Sequence, residues 1–99
     1  MVELNWTYEA EQWLHDIYDY ISKDNPEAAR QTIESIYNKV QILKEFPESG
    51  YCYNRNHLYH IRILLYGHYR IAYLIKPDEN IDILGVFHGS LDIDRYLVD

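Results

Sequence analysis

Ninety-nine residues, 47% of them hydrophobic, suffice for one compact domain over 1–99 and are too few for two cores. A formal net charge of −7 argues against free nucleic acid as a partner. With no apolar run near the ~18 residues a membrane span needs, and no basic-then-apolar leader, the expected setting is the cytoplasm without membrane attachment.

The N-terminal VELNW suits a short strand. Ala10, Trp13, Leu14, Ile17, Tyr18 and Ile21 then recur at three- and four-residue steps, one face of a helix. SKDNPEAA reads as a stop and a restart, because Asn25 is a good N-cap, Pro26 is pre-set for the first helical position and Glu27 favours the positive end of the helix dipole. Ala29, Ile33, Ile36, Tyr37, Val40 and Leu43 continue on one stripe, so two helices should form an antiparallel hairpin. Pro47 ends the second helix and Gly50 supplies a turn.

From Tyr51 to about His88 the period becomes that of strands. With Tyr66-Gly67-His68 as a three-residue loop, Ile63 faces Ile71 and Leu64 faces Arg70, which puts the isoleucines on one face and Arg62 and Arg70 on the other. KPDEN is a second turn, and IDILGVFH a third strand apolar on both faces, as a more central strand should be. The expected fold class is α+β in two layers: an N-terminal strand, an antiparallel helix hairpin and a C-terminal antiparallel sheet.

Charge is segregated along the chain. Residues 1–48 hold ten acids and four bases, 49–77 no acid and four bases, and 78–99 six acids and one base. The acid-free stretch also carries six tyrosines and three histidines, so any surface that meets an anion or an acidic partner belongs there. On the expected register Arg62 and Arg70 are diagonal neighbours about 7 Å apart, with His60 and Tyr66 beside them. Such a pair can clamp a phosphate or carboxylate; equally, both can lie over Leu64 and Leu74 and pair with Asp92 or Asp94. His88, at a strand end, suits either a general base assisted by Tyr96 or Arg62, or a hydrogen-bonded structural histidine.

Other chemistries find little support. Ser49 and Ser90 lack a nucleophile elbow, and no P-loop or dinucleotide fingerprint implies a cofactor. The single cysteine, Cys52, allows no internal disulfide, fits no metal-ligand spacing and reads as a small apolar filler. The acids of the first helix, Glu9, Glu11, Asp16 and Asp19, fall on its polar face. Tyr18, Tyr37 and Tyr73 fall on core faces.

Taken together, VELNWTYEAEQWLHDIYDYI, DNPEAARQTIESIYNKVQILKEFPESG, IRILLYGHYRIAYLI and IDILGVFHG resemble the toxins of the RelE/ParE superfamily, especially its ParE-like, plasmid-stabilisation branch, over nearly the whole chain. The resemblance implies that the first strand joins the C-terminal sheet. It also implies a type II toxin silenced by a small antitoxin that wraps it. ParE-like members poison DNA gyrase, whereas RelE-like members cut mRNA on the ribosome. For the first activity the expected target-binding residues are Arg55, Arg62, Tyr66 and Arg70; for the second the catalytic set would be Arg62, Arg70, His88 and Tyr96. Leu91 stands where ParE-like chains often carry arginine, which raises a third possibility, a toxin fold without potency. Since two or three arginines are a thin set for stabilising a phosphorane dianion, the leading expectation is a protein-binding inhibitor.

Overall fold

The computed structural model describes residues 2–55, 59–89, 93–95 and 97. In chain order, β1 (Leu4–Trp6) leads into α1 (Tyr8–Ser22), and α2 (Pro26–Val40) runs on into a 3-10 turn at Gln41–Lys44. Four strands follow: β2 (Tyr51–Arg55), β3 (His60–Tyr66), β4 (Tyr69–Ile75) and β5 (Ile81–His88). A short 3-10 turn at Ile93–Arg95 comes after them. The helix hairpin, the N-terminal strand and the C-terminal antiparallel sheet of the α+β expectation are all present.

Local chemistry sets the helix ends. Thr7 accepts from the Ala10 amide at 3.1 Å and donates to the Ile83 carbonyl at 2.8 Å, so one hydroxyl caps α1 and fastens it to β5. Asn25 caps α2 through the Ala28 amide at 3.1 Å, with Pro26 at the first helical position. The two helices are also joined by Tyr37, whose hydroxyl donates to the Glu11 carboxylate at 2.9 Å while its ring packs on Trp6 at 4.6 Å.

The sheet order is β1-β5-β4-β3-β2, with β1 parallel to β5 and all other pairs antiparallel. Its helix-facing side buries Leu64, Ile71, Tyr73, Ile81, Ile83 and Val86 against Ala10, Leu14, Ile36 and Val40. On the opposite side Ile63, Ala72 and Phe87 are covered in part by Ile93, with Tyr53, Leu84 and Leu97 at the margin. Phe87 folds over Gly85 and meets Trp13 edge-on, with ring centroids 4.7 Å apart. A Cβ on Gly85 would lie 2.6 Å from the Phe87 ring, which explains glycine in the middle of a buried strand.

The β3–β4 register corrects the sequence expectation. Tyr66 pairs with Tyr69, Leu65 with Arg70, Leu64 with Ile71, Ile63 with Ala72 and Arg62 with Tyr73, so the loop has two residues, Gly67 and His68. Gly67 takes φ +57° while His68 stays at negative φ, the pattern of a type II′ turn with glycine first, and this turn matches the twist of the flanking strands. Because strand side chains alternate, shortening the loop by one residue shifts all of β4 relative to β3. Arg62 therefore shares the helix-facing side with Tyr73, and Arg70 shares the other side with Leu65.

Two further expectations are corrected. Cys52 is exposed, because β2 is an edge strand bulged between Cys52 and Asn54, and it fills no core space. Tyr18 is 38% exposed, as α1 rolls Ala10 and Leu14 toward the sheet and leaves Tyr18 at the margin. No helix among the described residues is long and apolar enough to cross a membrane.

Candidate functional site

Arg62 and Arg70 were expected to converge, and the register separates them. They are offset by three residues on β3, roughly 10 Å along the strand, and face opposite sides of the sheet. Each belongs to a different end of β4.

The Arg62 guanidinium is occupied by backbone. Nε donates to the Gly50 carbonyl at 2.6 Å, Nη2 to the Glu48 carbonyl at 3.2 Å, and Nη1 lies 3.2 Å from His60 Nε2. Its strand neighbour Tyr73, fully buried, donates its hydroxyl to the Pro47 carbonyl at 2.6 Å and accepts the Gly50 amide at 3.0 Å. Together they rivet the turn from Pro47 to Gly50 onto the sheet. Arginine is required because its fork reaches three acceptors in fixed geometry. Gly50 is required because a Cβ there would lie 2.5 Å from the Ile63 carbonyl oxygen, a steric demand distinct from the turn role expected of it. Partial burial, reinforced by the positive charges of Arg55 and Arg62, holds the His60 imidazole below its ordinary pKa. Arg62 can only donate, so Nε2 accepts and His60 is the neutral Nδ1–H tautomer. Arg55 is exposed at the end of β2, paired in register with His60.

Arg70 and His88 stand at the hairpin end. Tyr69 pairs with His88 and Arg70 with Phe87, so the start of β4 lies beside the end of β5. The Gly89 amide donates to the His68 carbonyl at 2.7 Å and Arg70 Nη2 donates to the Gly89 carbonyl at 3.3 Å, which ties the hairpin loop to the residue after β5. The His68 and His88 rings stack with centroids 6.2 Å apart and 16° between planes, and Tyr69 meets His88 edge-on at 5.9 Å. The result is a shallow groove of about 540 Å³ lined by Leu65, Gly67, His68, Tyr69, Arg70, His88 and Gly89, without an acid among these residues. Leu65 is 58% exposed at its edge.

The four expected target-binding residues thus split. Arg62 lies beside Gly50 and Arg55 at the far end of β2, opposite His60; Tyr66 and Arg70 lie at the hairpin end, where Tyr66 is partly buried against the main core. The ribonuclease set splits likewise, with Arg62 away from Arg70 and His88. Tyr96 and Leu91 lie outside the described residues. His68, Tyr69 and Leu65 join the groove without having been expected there as site residues, although all three fall within IRILLYGHYRIAYLI and the pair Gly67-His68 between two tyrosines carries a two-residue-turn signal. Among the described residues no cluster of three or more His, Cys, Asp or Glu side chains could hold a metal ion.

An exposed leucine, an aromatic ring, an arginine and two histidines around one depression suit an interface with a protein that offers acidic and apolar groups. They do not form a cage for a small ligand, because the depression is open.

Comparison with known proteins points one way. The family described as "ParE toxin of type II toxin-antitoxin system, parDE" matches residues 4–93. A Sinorhizobium fredii (strain NBRC 101917 / NGR234) protein named "Putative toxin Y4kP" is 34% identical over 88 residues, covering 87% of this chain and 86% of that protein. A solved chain of the "Chromosomal ParDE TA system from P. aeruginosa" superposes with a TM-score of 0.69 at 23% identity, covering 89% of this chain and 96% of that one, which establishes a shared fold.

Proposed function

We infer, for a chain that belongs to the ParE toxin family of type II toxin–antitoxin systems, that this toxin acts by binding a cytosolic protein such as DNA gyrase through the hairpin-end groove. In this reading Arg70 pairs with a carboxylate of the target, while Leu65 and Tyr69 supply the apolar contact. A cognate antitoxin is its partner and neutralises it.

The observation that most favours binding over RNA cleavage is the placement of Arg62. A ribonuclease must surround one phosphate with preorganised cations, and here the guanidinium of Arg62 is turned onto the Gly50 and Glu48 carbonyls on the far side of the sheet from Arg70. Purified protein should inhibit DNA supercoiling by gyrase in a dose-dependent way, and preincubation with the antitoxin should relieve it. No inhibition at a large molar excess over gyrase would remove gyrase as the target. Codon-specific breaks in mRNA after incubation with translating ribosomes would instead favour the RelE-like activity.

A further inference from the structure

At the opposite end of β4 from the hairpin groove lies a second depression, of about 630 Å³. Val2, Phe46, Pro47 and Ile75 make its floor, and Phe46 is 60% exposed, a large apolar ring left uncovered. Glu45, Glu48 and Glu79 stand around that floor, one from the turn after α2, one from the Pro47–Gly50 turn and one from the β4–β5 loop. None of the three forms an ion pair among the described residues. Of the neighbouring cations, Arg62 donates to backbone carbonyls and Lys76 pairs with Asp82 at 3.3 Å, while Lys44, next to Glu45 in the chain, forms no ion pair with the three carboxylates among the described residues.

We propose that this groove docks a segment of a partner protein in which lysines or arginines alternate with aliphatic residues. Charge complementarity selects that occupant. An aliphatic side chain covers Phe46 and Ile75, and the flanking cations reach the three carboxylates while their methylene stems lie along the apolar floor. The same carboxylates repel a phosphate backbone or an anionic lipid surface. The groove is also preformed, because Arg62 and Tyr73 fix the Pro47–Gly50 turn that carries Glu48, so little ordering accompanies binding. This inference stands apart from the proposed target groove, with which it shares no residue.

The test is titration of ¹⁵N-labelled full-length protein with the hexapeptide acetyl-Leu-Lys-Leu-Lys-Leu-Lys-amide, followed by amide shifts. Saturable shifts should centre on Phe46, Glu48, Ser49, Ile75 and Glu79. A Ser-Lys repeat lacking the aliphatic residues should bind at least about fivefold more weakly, and a Leu-Glu repeat should leave these amides unmoved. Glu79→Gly should keep the thermal midpoint at or above wild type and weaken the Leu-Lys peptide about threefold to fivefold, as should E45Q/E48Q. The proposal is overturned by shifts centred on the α1 acids Glu9, Asp16 and Asp19, by the absence of saturation, or by unchanged affinity in both folded variants.

Discussion

Arg62 and Arg70 lie on one hairpin and serve different ends because side chains alternate and the turn between them has two residues. Arg62→Ala strands the Gly50 and Glu48 carbonyls and should lower unfolding free energy by about 2 kcal/mol, with Lys restoring less than half because a point charge cannot span the separated acceptors. Arg70→Ala removes one bond to the exposed Gly89 carbonyl, should lower the unfolding free energy measured in urea by no more than about 1 kcal/mol, and should act mainly on target binding. Gly50→Ala forces a Cβ against the Ile63 main chain, where no side chain can yield, and should cost about 3 kcal/mol in the same measurement. The pH dependence has a defined sign at His60. Its folded pKa is depressed, so the unfolded chain takes the proton first as pH falls. The stability it contributes is complete above about pH 6.5 and declines below that. Urea midpoints at pH 7.5 and 5.5 should fall further apart for wild type than for His60→Gln.

Elements were legible in the sequence where one local signal decided them. Asn25-Pro26 marks the α2 start, and the Asn25→Ala variant should lose about 1 kcal/mol of thermal stability with its cap. Hydrophobic periodicity located both helices and the strands. The β3–β4 register was harder, because Tyr-Gly-His-Tyr allows a two- or a three-residue loop and both leave the strand pattern intact; what decides it is the close match of a glycine-first turn to strand twist. That single residue of slip is why Arg62 and Arg70 were expected as neighbours on one face and lie on opposite faces. Gly50 was legible as a glycine and not as to its reason, since the 2.5 Å approach to Ile63 exists only once β2 and β3 pair. The β4–β5 loop shows the converse. Glu79 adopts φ 75°, where glycine is unstrained, so Glu79→Gly should raise the urea midpoint by an equivalent of about 0.5–1 kcal/mol.

At the scale of the molecule, the charge segregation along the chain becomes a polarity along β4. Its start carries Arg70 in a groove that also holds the stacked His68 and His88 and no acid; its end carries three carboxylates around an exposed Phe46. The acid-free stretch from Ser49 to Pro77 supplies the end with Arg70, while half of the expected interface residues, Arg55 and Arg62, lie toward the other end of β3. Composition records which charges are present, and the register decides which way each one points.

In the proposed reading the toxin is a protein-binding inhibitor that acts through Arg70, while Arg62 holds the fold. Dose–response of gyrase supercoiling inhibition for wild type, Arg70→Ala and Arg62→Lys, each at matched folded fraction, measures it most directly. Wild type should inhibit, Arg70→Ala should be weaker by at least about tenfold through the loss of one charge-assisted interface contact, and the folded fraction of Arg62→Lys should keep near-wild-type potency. Equal potency of wild type and Arg70→Ala, or loss of potency confined to Arg62→Lys, would contradict it.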